Sequence, residues 1–212
     1  MESLKKTIDS FKSEVVSKAP AEVREVMLRC TQDLKSSGIE SRALKAGDKM
    51  PDFELPNQHG TMRRLYQYLK SSPVVLNIYR GGWCPYCNFE MKALRDALPM
   101  IKAKGAQLIG MSPELPSKAE LTASNNGIDI DILYDAGNAV SERLGLVFEL
   151  PEVLRPIYQQ FGIDIPAFNG DASFRLPVPA TYILERDGSI RYAHIDADYT
   201  ARMEPTDIIM RL

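Results

Sequence analysis

The segment Val74–Tyr79, VVLNIY, is a mostly apolar, β-branched run that lacks the polar alternation of a half-exposed strand. Such a run reads as a strand covered on both faces, the kind found inside layered α/β sheets. It passes through Arg80-Gly81-Gly82 into Cys84-Pro85-Tyr86-Cys87, after which Phe89, Leu94, Leu98 and Ile101 recur at helical spacing until Gly105. A buried strand feeding directly into a helix is half of a crossover unit. Ala106–Met111 supplies the next buried strand, Ser117–Asn126 the next helix, Asp131–Tyr134 a third strand and Asn138–Leu144 a short helix. Asp187-Gly188, between Thr181–Glu185 and Ser189–His194, is a strong hairpin signal, and a closing helix is expected over Pro205–Leu212. Asp52–Leu55 and Thr61–Leu65 read as an earlier pair of edge strands. Together these elements predict an α/β fold with a central mixed β-sheet flanked by helices.

Two segments stand outside that pattern. In the first, Leu4, Ile8, Phe11 and Val15 form one apolar helix face. Beyond Ala19-Pro20, Val23, Val26, Met27, Cys30 and Leu34 form a second, which Gly38 would cap. Residues 1–44 are therefore expected to be an N-terminal helical extension, packed on the main domain (45–212) or on a second subunit as a homodimer. Its interspersed charges do not read as a targeting segment, so a cytoplasmic location is the default expectation. The other segment, 145–176, carries Pro151, Pro156, Pro166 and Gly170 around a helical patch at Glu152–Phe161. It reads as an irregular insertion or lid before the last hairpin.

Charge narrows the partners. Twenty-six basic residues against 28 acidic ones leave no excess of positive charge for a polyanion, so a nucleic-acid partner is not expected. No apolar run approaches the length of a membrane span, and no membrane partner is expected.

The chemistry is carried by the cysteine pair. With Cys84 at the N-cap and Pro85 at the first helical position, Cys87 lies at i+3 on the same face, within reach of a small disulfide ring. Unpaired amides and the positive dipole end favour a thiolate at Cys84, which would titrate at roughly 3.5–7.5. Cys87, one turn deeper, reads as a buried thiol. Cys84 would then attack and Cys87 resolve. A zinc site needs further ligands at matched spacing, and Cys30, His59 and His194 are isolated, so neither a metal nor an organic cofactor is expected. Arg80 could stabilise the thiolate or be a solvated loop charge. Trp83 could form an apolar wall and docking rim, and Cys30 reads as a small buried hydrophobe or an accessory resolving cysteine. Asp196, Asp198, Tyr199 and Arg202 form a polar cluster with no evident role.

These residues carry a resemblance. GDKMPDFELPNQHG (47–60), YRGGWCPYC (79–87), LIGMSPE (108–114) and LPVPATYILERDG (176–188) make residues 45–210 similar to the AhpC/TSA, peroxiredoxin-like group of the thioredoxin-fold superfamily. The resemblance implies a thioredoxin-like fold and action on peroxides, disulfides or both. Departures accompany it. The family's Thr or Ser three residues before the reactive Cys is Gly81 here, its upstream Pro is Asn77, and its late Arg aligns with Pro179. Val178-Pro179-Ala180-Thr181 instead looks like the thioredoxin segment whose proline is cis. A cis Pro179 is thus expected, with the Val178 backbone free to pair with an extended substrate. The buried Asp of thioredoxins is replaced by Ile78, which leaves Glu90 or water to take up a proton.

The first expectation is a redox enzyme performing thiol–disulfide exchange on a protein or low-molecular-weight disulfide, with Cys84 as nucleophile and Cys87 resolving. The alternative is a thiol peroxidase, reducing hydrogen peroxide or alkyl hydroperoxides through a Cys84 sulfenic acid. Either would be recharged by a reductant such as thioredoxin or glutathione. A non-catalytic redox-sensing interaction module is the third reading.

Overall fold

A computed structural model describes residues 2–212. The N-terminal helices are α1 (Leu4–Glu14), α2 (Ala21–Ser36) and the short α3 (Ile39–Arg42). A small ribbon, β1 (Glu54–Pro56) and β2 (Met62–Arg64), and helix α4 (Leu65–Ser71) come next. The crossover region consists of β3 (Val74–Ile78), α5 (Pro85–Ala103), β4 (Gln107–Ser112), α6 (Pro116–Asn126), β5 (Ile132–Tyr134) and α7 (Ala139–Arg143). After it come β6 (Val147–Glu149), α8 (Arg155–Gln160), α9 (Ile165–Asn169) and β7 (Arg175–Pro177). The chain closes with β8 (Ala180–Leu184), β9 (Ile190–Ile195) and α10 (Pro205–Arg211).

The main sheet has the order β5-β4-β3-β8-β9, with β3, β4 and β5 parallel and β8 and β9 antiparallel to their neighbours. This is the mixed sheet the sequence pattern predicts. Strand β3 lies at its centre with every residue buried, because both faces are covered. Val75 faces a core built from α5, α6, α10 and the Leu4 and Ile8 stripe of α1. Val74, Leu76 and Ile78 face a second core that includes Leu65 and Leu69 of α4, Val140 and Ile39.

Helix α1 closes over α5. Phe11 packs edge-on against Tyr86 and Phe89, with ring centroids 5.6 and 5.2 Å away. Glu204, just before α10, accepts hydrogen bonds from Ser3 Oγ (2.8 Å) and from the Leu4 and Lys5 amides (3.1 and 2.8 Å). Of the two placements open to these helices, the chain's own core takes the apolar stripe of α1, and Cys30 of α2 joins a cluster with Leu150, Leu154, Ile157 and Tyr158.

Segment 145–176 is not irregular. Strands β6 and β7 pair antiparallel, Val147 with Pro177 and Glu149 with Arg175, and so tie the ends of the loop together. The prolines that suggested irregularity start helices instead: Pro156 and Pro166 each lie in a first helical turn, where a missing N–H costs nothing.

The Pro179 expectation is also overturned. No peptide bond among the described residues is cis. The chain runs extended from β7 into β8, and the Val178 amide donates to the Leu146 carbonyl at 2.8 Å, so no turn is required there. Val178 is buried and packs in the core with Leu76, on the sheet face away from the cysteines. Its amide is occupied within the chain and is not free to pair with an extended substrate.

Glu204→Ala removes the acceptor for three donors at the start of α1. The loss of a helix cap costs about 1 kcal/mol, so α1 amides should exchange roughly fivefold faster in hydrogen–deuterium exchange while β3 amides hold. Hydrogen bonding from Lys5, Ser3 and Leu4 outweighs burial and holds the Glu204 carboxyl below its usual value. Its contribution is therefore present above the ordinary carboxylate range and is lost as pH falls through the lowered value.

Candidate active site

Cys84 is the N-cap of α5 in extended conformation, and Pro85 starts the helix. Two glycines shape the loop that delivers it. Gly81 has φ +143°, a conformation side chains avoid, and the Trp83 indole nitrogen lies 2.5 Å from where a Cβ would stand. At Gly82 a Cβ would stand 2.1 Å from Thr122 Oγ1, so α6 and the cysteine loop approach this closely only without a side chain. The Gly82 amide donates to Glu114 Oε2 (2.8 Å), a buried carboxylate that also accepts from Tyr79 (2.5 Å) and Thr122 (3.2 Å). Glu114 anchors the loop, and its burial outweighs those bonds and raises its pKa.

Both cysteines are reduced and 1% exposed. Burial pushes the Cys84 thiol up, but the Cys87 thiol within hydrogen-bonding reach and the charges of Arg80 and Arg202 draw it down to about 6. Cys87 goes the other way: burial, reinforced by its neighbour Cys84, raises it well above an ordinary thiol. The attacking and resolving assignments made from helix position thus coincide with opposite electrostatic environments.

Arg80 is not a solvated loop charge. It is 2% exposed, donates to the Tyr158 hydroxyl at 2.7 Å and lies between the rings of Trp83 and Tyr199, 4.7 and 4.6 Å from their centroids. A desolvated guanidinium on aromatic faces gains about 2 kcal/mol per contact, which offsets part of its dehydration. Its Nε has no hydrogen-bond partner among the described residues, and neither does the Trp83 Nε1. Trp83 itself does not stand out as a docking rim; it is half-buried against Tyr158 of α8, centroids 5.8 Å apart.

Arg80, Trp83 and Cys84 line one cavity of about 310 Å³, walled also by Phe11, Met27, Tyr158 and Tyr199. The N-terminal helices and the 145–176 segment thus enclose the reactive sulfur; the second reads in sequence as an insertion or lid, while no local pattern in the first announces that role. Tyr158, Tyr199, Glu114 and Arg202 were not legible as site residues. Tyr199 and Arg202 stood in a polar cluster without a motif, and tertiary folding alone brings them to the cysteines. Arg202 is 1% exposed at its side chain; Nη1 lies 2.5 Å from Glu90 Oε2 and Nη2 lies 3.5 Å from Cys87 Sγ. Val178 and Pro179 do not line the cavity, and Cys30 lies outside it.

Alkylation of the reduced protein by iodoacetamide entering the cavity should rise with a midpoint at about pH 6, because Cys84 supplies the thiolate there. In Arg80→Met that midpoint should move up by at least about one unit, read by mass spectrometry of the Cys84 peptide across pH.

The comparisons agree with this geometry. The AhpC/TSA family model matches residues 46–193. A Mycobacterium tuberculosis protein assigned to the peroxiredoxins is 34% identical over 114 residues, 54% of this chain and 74% of that one. Peroxiredoxin Bcp of Escherichia coli is 30% identical over 103 residues, 49% of this chain and 65% of that one. Among solved structures, peroxidoxin BcpB from Mycobacterium tuberculosis superposes with a TM-score of 0.62 at 25% identity, covering 79% of this chain and 94% of that one. The thioredoxin-like fold, the thiol pair at the start of α5 and the family match converge: this chain belongs to the AhpC/TSA family of thiol-dependent oxidoreductases.

Proposed function

We propose that the chain is a thiol peroxidase in which Cys84 is the peroxidatic and Cys87 the resolving residue. The observation that carries this reading is the pair of buried donors without partners among the described residues, Trp83 Nε1 and Arg80 Nε, on residues lining the cavity that holds Cys84. Buried donors are almost always satisfied, by protein or by water, and two on residues of one cavity suit an acceptor-rich ligand. A hydroperoxide brings two oxygens, whereas a disulfide offers only weak sulfur acceptors. The indole nitrogen fills the space beside Gly81, where a family member would carry a hydroxyl, and Arg80 takes the part of the cation missing at Pro179. Enclosure supports the same reading: a sulfur 1% exposed beneath helices admits a small molecule more readily than a folded disulfide protein.

In this reaction the Cys84 thiolate attacks the terminal peroxide oxygen. A sulfur–oxygen bond forms, the oxygen–oxygen bond breaks, the transferred oxygen keeps its proton as the sulfenic acid, and the alkoxide or hydroxide leaves and takes a proton from solvent. Trp83 and Arg80 donate to the oxygens as negative charge moves onto the leaving one. Cys87 then condenses with the sulfenic acid, expelling water. An external reductant, one thioredoxin-type dithiol or two molecules of a monothiol such as glutathione, supplies the two electrons that reopen the disulfide and is itself oxidised to a disulfide.

Stopped-flow mixing of reduced protein with hydrogen peroxide, cumene hydroperoxide and a model disulfide, followed by Trp83 fluorescence, separates this from thiol–disulfide exchange. A peroxide rate constant far above that of a free thiol is expected. Slow peroxide reaction beside fast disulfide exchange would return the chain to the exchange reading. Trp83→Phe keeps the ring but removes the donor, and should lower the peroxide rate roughly 10- to 100-fold by quench and mass spectrometry. Its disulfide rate should fall far less.

A further inference from the structure

The peroxide-facing groups leave one buried ion pair unexplained. Glu90, on α5, and Arg202, in the loop between β9 and α10, have side chains 4% and 1% exposed and lie 2.5 Å apart. A buried pair of this kind is weak evidence of stabilisation, because desolvation cancels most of the attraction. Arg202 is held in place by one further acceptor: its Nε and Nη2 both donate to the Tyr199 carbonyl, at 3.0 and 2.8 Å. So fixed, Nη2 also points at Cys87 Sγ, 3.5 Å away. The two cysteines therefore face differently compensated cations. Among the described residues Arg80 has no carboxylate partner; Arg202 shares its charge with Glu90.

We propose that Arg202, tuned by Glu90, is the positioning residue of the resolving step, receiving the negative charge on Cys87 once Cys84 has lost its own. In the reduced protein, Arg80 without a counter-ion makes Cys84 the better site for the single thiolate, and the Cys87 proton serves as its donor. When Cys84 becomes a neutral sulfenic acid, or a mixed disulfide, that anion is consumed. Among the described residues the two buried guanidiniums then have Glu90 alone as a close carboxylate partner, and the thiol touching Arg202 is the group that gives up its proton. The Cys87 sulfur forms the sulfur–sulfur bond, the Cys84 sulfur–oxygen bond breaks, and hydroxide departs with the Cys87 proton as water. No further oxidant or reductant is needed. Because Arg202 is clamped by Glu90 and the Tyr199 carbonyl, it is oriented before the reaction and requires no reorganisation during it.

The groups that bear on Cys87 come from several elements. Cys84 and Arg80 face it from the loop, Arg202 from the β9–α10 connection, Tyr79 from the end of β3 and Glu114 from the β4–α6 turn. Glu90 lies on its own helix, with His194 of β9 behind it. Tyr79 and Glu114 satisfy one another, at 2.5 Å, which leaves Arg202 as the cation in contact with the sulfur.

This inference rests on Cys87 resolving what Cys84 forms, and the test keeps that separate from the peroxidase reading. In single turnovers with peroxide, the first fluorescence phase scales with peroxide concentration and reports Cys84 oxidation. The second is concentration-independent and reports resolution. The same resolution is read with 5,5′-dithiobis(2-nitrobenzoate), as release of a second thionitrobenzoate. A failed first phase with peroxide would overturn the peroxidase reading, and the dithiobis reagent would still decide the role of Arg202. Arg202→Met is expected to slow resolution at least tenfold at pH 7 and to raise the pH midpoint of that phase, with Arg202→Lys recovering most of the loss. An unchanged rate and midpoint in a folded Arg202→Met protein would overturn the proposal. If Arg202→Met does not fold, Glu90→Gln decides: loss of the competing negative charge should lower the midpoint by at least half a unit, and an unmoved midpoint counts against the proposal.

Discussion

A guanidinium removed from water has to be given something in exchange, and two of them are buried beside the same cysteine pair. Arg80 receives two aromatic faces and one hydroxyl; Arg202 receives a carboxylate, a backbone carbonyl and a sulfur. Neither set of contacts could exist on the sheet and its crossover helices alone. Tyr158 comes from the 145–176 segment, Tyr199 and Arg202 from the stretch after β9, and the cover over them from α1 and α2. Segments that look like appendages along the chain are therefore the walls that make the site dry, and dryness is what gives each charge its leverage on sulfur.

The same enclosure sorts the two thiols. Cys84, at the helix start and beside an uncompensated cation, is drawn toward thiolate; Cys87, one turn inside, is held as thiol by burial and by that neighbouring negative charge. One anion among three charged partners is a small bistable system, in which consuming the charge on one sulfur alters the proton affinity of the other. A CxxC pair supplies the geometry for a disulfide, but the order in which its members react is set by what surrounds them.

Much of the fold was legible in advance because its signals are local. The doubly buried β3, the Pro85 helix start, the Asp187-Gly188 hairpin and the apolar stripe of α1 each announce themselves by periodicity or turn chemistry over a few residues. The misreadings have a common cause. The prolines of 145–176 suggested irregularity outside the helical patch at Glu152–Phe161 because a missing N–H forbids a helix interior, yet Pro166 lies in a first turn, where it is harmless, as does Pro156 within that patch. Val178-Pro179 resembled a substrate-facing segment in its residues, but the strand pair β6–β7 occupies the neighbouring backbone, with Leu146 accepting the Val178 amide.

By itself the sequence determined that a buried strand must hand a cysteine to a helix N-terminus with a second cysteine one turn on, because strand burial, Pro at N1 and i+3 spacing are properties of short stretches. It also determined membership of a redox family through four such stretches. Only the tertiary structure decided which cations, donors and walls meet those sulfurs. Arg202 is 115 residues from Cys87 along the chain and in contact with it in space. A charge exerts its effect through distance and the polarisability of what lies between, and neither is written in residue order.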